Sequence, residues 1–263
     1  MPKPLTKARE PEIKAEVLNH LLSEGAVDSE STIFNEFTID RYSRRVDLAV
    51  LSDGQLIAFE IKSSGDTLTR LDGQVDKYLK FFDKVIIVSA SKHLRKITEI
   101  APQGVGIWEF SSDKIRVLKK GRSNKVIDKE HLLKLMKVNE LRAASKKFRI
   151  ATEAKDRNQI EYELKKISPE RLRETAFRAL AKRFQQSSQL FWERIGQNEV
   201  RPKDLSLLSK YSYHRANSDK KMKTWTEWLS SIEEDPYLLQ ASKLHADNIF
   251  GEVPPEIKKK LES

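Results

Sequence analysis

Apolar and polar positions follow two different periods along the first 120 residues, and the switches between them lay out the elements. Residues 11–22 place Ile13, Val17, Leu18 and Leu21 at helical spacing ahead of Gly25, which predicts an amphipathic helix and its stop. Residues 32–39 read as a strand with Ile33, Phe37 and Ile39 on one side, and Asp40 to Arg45 as a turn. Residues 45–51 and 56–62 are two further strands joined by Ser52-Asp53-Gly54, a hairpin-type turn. Helical period returns over 66–82, where Leu68, Leu71, Val75, Tyr78, Leu79 and Phe82 form one stripe behind Asp66 as N-cap. The β-branched run Val85–Val88 predicts a buried strand. Residues 91–100 are helical, and 104–109 and 114–118 are closing strands. This order predicts an α/β class, a mixed sheet with helices packed on its faces.

From about Ile127 the strands stop. Leu132, Leu133, Leu135, Met136, Val138 and Leu141 predict a helix over 128–143. Ser168-Pro169-Glu170 opens another with a capping serine, proline in the first turn and an acid at the positive dipole end; it runs to Ile195 before Gly196. Further helices are expected over 203–211, 219–232 and 235–248, ahead of Pro254-Pro255. Two regions follow: 1–122, a mixed α/β core, and 123–263, all-helical. The change near 122 is one of composition, across which the halves can still pack as one body.

Charge sharpens this division. Of 263 residues, 49 are Lys or Arg and 39 Asp or Glu, a formal net of +10. Residues 1–120 hold 19 cations against 18 acids, whereas 141–223 hold 21 against 10. A near-neutral first half beside a strongly basic second half suggests a chemical module next to a polyanion-binding surface. The chain has no cysteine, which excludes disulfide scaffolds, thiolate metal sites and cysteine nucleophiles. No apolar run approaches a membrane span and no secretory signal precedes the first helix, so a cytoplasmic location without membrane association is expected. No phosphate-binding loop or dinucleotide glycine pattern is present, so no nucleotide cofactor is expected. The five histidines are scattered, without metal-ligand spacing.

The candidate chemistry lies on the two strands of the hairpin. Glu60 and Lys62 are two apart and share a face, opposite Ile57, Phe59 and Ile61. Asp47 sits among Val46, Leu48 and Val50 on the neighbouring strand. An acid in so apolar a strand needs a partner, and a cation is the natural one. Two carboxylates and a lysine suit magnesium, which takes hard oxygen ligands, keeps several waters and binds substrate phosphate. The lysine can orient the attacking water or offset developing charge.

Asp47 followed by Glu60-Ile61-Lys62 resembles the signature of the PD-(D/E)XK nuclease superfamily, with Val46 where the signature has proline. Gln74 and Tyr78 are similar to the Q-x-x-x-Y element of its RecB-like branch. Arg-Val-Asp, Phe-Glu-Ile-Lys-Ser and the Asp-Thr-Leu-x-Arg-Leu segment further resemble a bacterial and prophage branch of it. The resemblance implies a three-layer α/β/α restriction-endonuclease-like core. It implies a Mg2+ or Mn2+ ion held by Asp47, Glu60 and the carbonyl of Ile61, with Lys62 at the water. Gln74 and a first-helix acid would help position groups; Glu12 is preferred to Glu16 for that acid. It covers residues 10–120 and, more loosely, 121–185.

In the second half Arg171, Arg173, Arg178, Lys182 and Arg183 lie on one expected helix, and with Arg44 and Arg45 are candidate contacts to double-stranded DNA. Trp192, Trp225 and Trp228 are expected to pack in a small core rather than stack on bases. The leading expectation is a magnesium-dependent deoxyribonuclease, an endonuclease or nickase acting in phage biology, defence or DNA repair. The alternative is a non-cleaving DNA- or protein-binding module on the same fold. A junction resolvase would require a homodimer with two facing sites.

Overall fold

The computed structural model describes residues 9–40, 44–151 and 155–208. The expected helices 219–232 and 235–248, with Trp225 and Trp228, lie outside them. The described chain runs α1 (Glu10–Ser23), β1 (Thr32–Ile39), β2 (Arg44–Ser52), β3 (Gln55–Lys62), α2 (Leu71–Phe81), β4 (Lys84–Ala90), α3 (Leu94–Ile100), β5 (Gly106–Ser111) and β6 (Lys114–Lys119). Helices α4 (Lys129–Leu135), α5 (Val138–Lys147), α6 (Arg157–Leu164) and α7 (Pro169–Ile195) and a 3-10 helix, Pro202–Leu208, follow. The fold is α/β. Its six strands stand in chain order in one mixed sheet: β1–β2, β2–β3 and β5–β6 are antiparallel, β3–β4 and β4–β5 parallel.

Alternating side chains feed a core on each face. On one, Val17 and Leu18 of α1 meet Leu48, Phe59, Ile86 and Trp108 together with Phe191 and Trp192 at the end of α7. On the other, Phe34 and Ala58 pack with Val75 and Tyr78 of α2, then with Leu132, Leu141, Ile160, Leu172 and Leu180. The composition change near 122 is therefore no boundary between bodies; the later helices complete the second core, and the described residues form one compact unit. Helix α7 reaches both cores by passing along the β1 edge. There Ser188 Oγ accepts from the Ile33 N–H (3.2 Å) and Trp192 Nε1 donates to the Ser31 carbonyl (2.8 Å). An edge that would otherwise present unpaired backbone is covered.

Three element limits differ from expectation. Helix α2 begins at Leu71, because Asp66 is taken up by a turn, accepting from the N–H (2.7 Å) and hydroxyl (2.6 Å) of Ser63 instead of capping the helix. The helix expected over 128–143 breaks at Met136-Lys137, where Glu140 caps the backbone N–H of Lys137 (2.7 Å) and starts α5. Residues 157–164 form a helix that hydrophobic period did not single out, opened by an Asp156–Gln159 capping box.

Arg173 and Arg183 are corrected from DNA contacts to parts of the frame. The Arg173 guanidinium is buried, gripping both oxygens of Asp83 (2.7 Å each) and the carbonyls of Gly54 (2.7 Å) and Val126 (3.0 Å). Arg183 binds both carboxylate oxygens of Glu140 and the Leu135 carbonyl (2.9 Å), fastening α7 to the α4–α5 junction. Arg171, Arg178 and Lys182 are exposed; Arg171 lies over the Phe148 ring (5.0 Å) and Arg178 pairs with Glu174 (2.7 Å).

Candidate active site

The hairpin strands β2 and β3 pair from Ser52↔Gln55 to Leu48↔Phe59 and then part. At the parting, Asp47 replaces the ladder with its side chain: Oδ2 accepts from the Ile61 N–H at 2.7 Å. The acid is thus held in the gap between two strand ends, one residue from the Val46 and Leu48 that anchor it in opposite cores.

Glu60 and Lys62 point from β3 toward α2, as the two-residue period requires. Glu60 is 1% exposed and both its oxygens are engaged, Oε1 by Lys62 Nζ (2.7 Å) and Oε2 by the Tyr78 hydroxyl (2.9 Å). Lys62 Nζ also donates to Gln74 Oε1 (3.2 Å), and the Tyr78 hydroxyl lies 2.9 Å from the Arg45 carbonyl. Gln74 and Tyr78 are one helical turn apart, so a single face of α2 positions both charged groups of β3. Arg45 itself is exposed and its Nε pairs with Glu36 Oε2 (2.6 Å); Arg44 is exposed beside it.

From the other face of the sheet α1 supplies a different acid from the one expected. Glu12 is exposed and its Oε2 accepts from the Arg9 N–H (3.1 Å), closing the helix N-terminus; Glu16 lies a turn further along, in a groove with Asn19 and His20. Neither joins the strand acids. Glu10 does: carboxylate oxygens of Glu10, Glu36 and Asp47 lie within 4.8 Å of one another. The buried Lys14 ammonium sits among them, bound to Glu10, Glu36 and Asn35 Oδ1 (3.0 Å). Glu36 reaches the cluster because its backbone is left-handed (φ 57°), which breaks strand alternation and turns two consecutive side chains, Asn35 and Glu36, to Lys14. A buried lysine on the apolar face of the first helix was the signal for Glu10, since such an ammonium needs an acid and one stands four residues ahead of it. Nothing in the sequence pattern marks Glu36.

The crowding shows in the acid strengths. Burial, then the negative charges of Glu60 and Glu10, push Asp47 from 3.8 up to about 8, against the pull of the Ile61 N–H and Lys14. Burial also raises Glu60, opposed by Lys62, Tyr78 and Gln74, and burial beside Glu60 raises the Tyr78 hydroxyl. Hard carboxylate oxygens short of positive charge, with no sulfur or imidazole among them, fit a divalent cation of the magnesium or manganese kind.

Comparison with known proteins adds a lineage. The family described as Bacteriophage P4 protein cII matches residues 3–209. Protein cII of Enterobacteria phage P4 is 34% identical over 208 residues, covering 77% of this chain and 78% of that protein. A solved protein of unknown function from Silicibacter pomeroyi superposes with a TM-score of 0.38 at 16% identity, over 54% of this chain and 91% of its own.

Proposed function

The chain belongs to the bacteriophage P4 protein cII family, and from the geometry of its site we propose that it is a divalent-metal-dependent nuclease acting on DNA. One observation carries this reading: at the parting of two strands Asp47 accepts from the Ile61 N–H, next to the Glu60–Lys62 pair and with carboxylate oxygens of Glu10 and Glu36 within 4.8 Å, and burial and the charges of Glu60 and Glu10 push its pKa up to about 8. A fold needs no such arrangement for its own stability, since buried acids held this close cost free energy. The resemblance of Asp47, Glu60, Lys62, Gln74 and Tyr78 to the PD-(D/E)XK pattern supports the same reading.

Asp47, Glu60 and the Ile61 carbonyl would hold the ion, with Glu10 and Glu36 beside Asp47 as further oxygen donors. When bound, the ion supplies positive charge at a phosphoryl oxygen and makes a coordinated water more acidic. The protein's own groups do the rest. Lys62, fixed between Glu60 and Gln74, presents an ammonium to a water or to charge developing on phosphate. Tyr78 holds Glu60 in place through its second oxygen, and Lys14 keeps Glu10 and Glu36 facing the gap.

Purified protein incubated with linear, supercoiled and single-stranded DNA in Mg2+, Mn2+ or EDTA tests this. Cleavage in metal and none in EDTA is expected, and Asp47→Asn and Glu60→Gln should each abolish it while leaving the fold intact. DNA bound but never cut under any metal would instead favour a non-cleaving module.

A further inference from the structure

Beyond β6 the chain turns back and crosses the sheet at the end away from the site. It bonds to three strand beginnings in succession. The Arg122 N–H donates to the Gly104 carbonyl ahead of β5 (2.7 Å), and the Asn124 N–H donates to the Asp83 carbonyl ahead of β4 (2.7 Å). Ser123 Oγ donates to Gln55 Oε1 at the start of β3 (3.4 Å), and the Val126 N–H closes on Asp83 Oδ1 (2.8 Å). Gly121 makes the first crossing possible: its φ is +75°, and a Cβ there would stand 2.7 Å from the Gly106 nitrogen. With the backbone turned inward to the strands, the side chains are left outside.

Those side chains are of one kind. Between Asp113 and Asp128 the sequence holds six Lys or Arg and no acid. Arg116 is bound to Glu109. Lys119, Lys120, Arg122 and Lys125 are exposed, Lys84 is half-buried beneath them, and none of these five has an acidic partner among the described residues. Burial and the neighbouring Lys120 charge push Lys84 below its ordinary range, so the cations repel one another unrelieved. Adjacent strands are ~4.8 Å apart, which spreads the row over about 10 Å of a rigid edge.

We propose that this strap binds the sugar–phosphate backbone of duplex nucleic acid, at a surface separate from the candidate active site. From Gln55 to Lys62 the strand β3 places the two ~23 Å apart at ~3.3 Å per residue. Residues 119–125 offer only lysine, arginine, serine, asparagine and glycine outward. Those side chains bind phosphate oxygens, and although Leu118 and Ile127 are exposed on either side, the segment itself has no aromatic anchor of the kind on which a protein interface relies. The proposal does not depend on nuclease activity, and its test omits metal.

The test is fluorescence anisotropy on the full chain with a labelled 30-base-pair duplex in EDTA, over a salt series. Lys119→Gln, Lys120→Gln and Arg122→Gln combined should weaken binding at least about tenfold near 0.1 M salt. The log–log salt slope should become shallower by roughly 2–3, at about 0.9 for each phosphate that is no longer neutralised. A control combining Lys80→Gln, Lys96→Gln and Lys146→Gln removes the same charge from exposed positions elsewhere and should keep the wild-type slope. A labelled polyglutamate peptide should bind weakly and respond to neither set. Wild-type affinity and slope in the strap variant, or an equal loss in the control, overturns the assignment. A larger loss for polyglutamate than for the duplex assigns the strap to an acidic protein instead.

Discussion

Asp47 makes the strongest claim at the scale of single residues, because its raised pKa ties stability to chemistry. The folded state holds the Asp47 proton more tightly than the unfolded chain, so stability falls as pH rises from about 4 toward about 8. In the absence of metal, Asp47→Asn should therefore raise the melting temperature at pH 8 by several degrees and leave it nearly unchanged at pH 4. Binding a divalent ion displaces that proton, so affinity measured by calorimetry should climb with pH until about 8 and then level. A pH-independent affinity would remove Asp47 from the ion's ligands. Lys62→Met should slow cleavage on the order of 10²-fold with metal binding retained; unchanged turnover would leave Lys62 a mere partner of Glu60. Glu10 and Glu12 separate cleanly: Glu10→Gln should impair metal binding, whereas Glu12→Gln should act only on helix stability, at about 1 kcal/mol or less. Asp47, Glu60 and Lys62 stand out in the sequence because a polar residue inside an apolar strand period announces itself, whereas Gln74, at the edge of its helix stripe, stands out only through the Q-x-x-x-Y resemblance. Glu36 does not stand out, since its place rests on a left-handed backbone that period cannot register.

Among the elements, α7 shows how a correct reading of a helix can mislead about its surface. Its limits follow from Ser168-Pro169 and Gly196, and its row of cations is real, but two of them face inward. Arg173 adjoins Leu172 and Ala176 on the buried side, and what it meets there, Asp83, is ninety residues earlier in the chain. No local pattern pairs them. Asp83 was the better clue, a carboxylate between Phe82 and Lys84 at the mouth of an apolar strand. Removing one partner of so buried a pair leaves the other uncompensated, so Arg173→Gln should cost about 3–5 kcal/mol. That is roughly 10 °C in melting temperature for a unit of this size, whereas Arg178→Gln should cost almost nothing. Equal melting curves for the two variants would show that the clamp carries no stability. Replacing Arg171, Arg173, Arg178 and Arg183 together would accordingly report on folding before it reported on DNA.

The molecule as a whole distributes its charge differently from its sequence. Counting along the chain puts the excess of cations after residue 140, but folding consumes several of them in pairs with Glu140, Glu161 and Asp83. It leaves without acidic partners, among the described residues, a row of cations from before that point in the chain, Lys119, Lys120, Arg122 and Lys125 of the strap. Strand and helix order was legible because each element announces its own period. The two cores and the shared end of the sheet were not, because they depend on which distant elements meet. The clamp between Asp83 and Arg173 extends to the order in which the chain is made. While Arg173 is still unsynthesised, Asp83 can hold the amides of Leu56 and Val126 but has no cation, and the hairpin carbonyl of Gly54 has no guanidinium to bind. The far end of the sheet can then only close late, after α7 has left the ribosome. Nascent chains arrested with residue 165 at the tunnel exit should be cut by a protease as unfolded polypeptide, and those arrested beyond residue 208 should resist it. During most of its synthesis, then, this protein would be an open sheet waiting for α7, exposed to whatever chaperone or protease reaches it first.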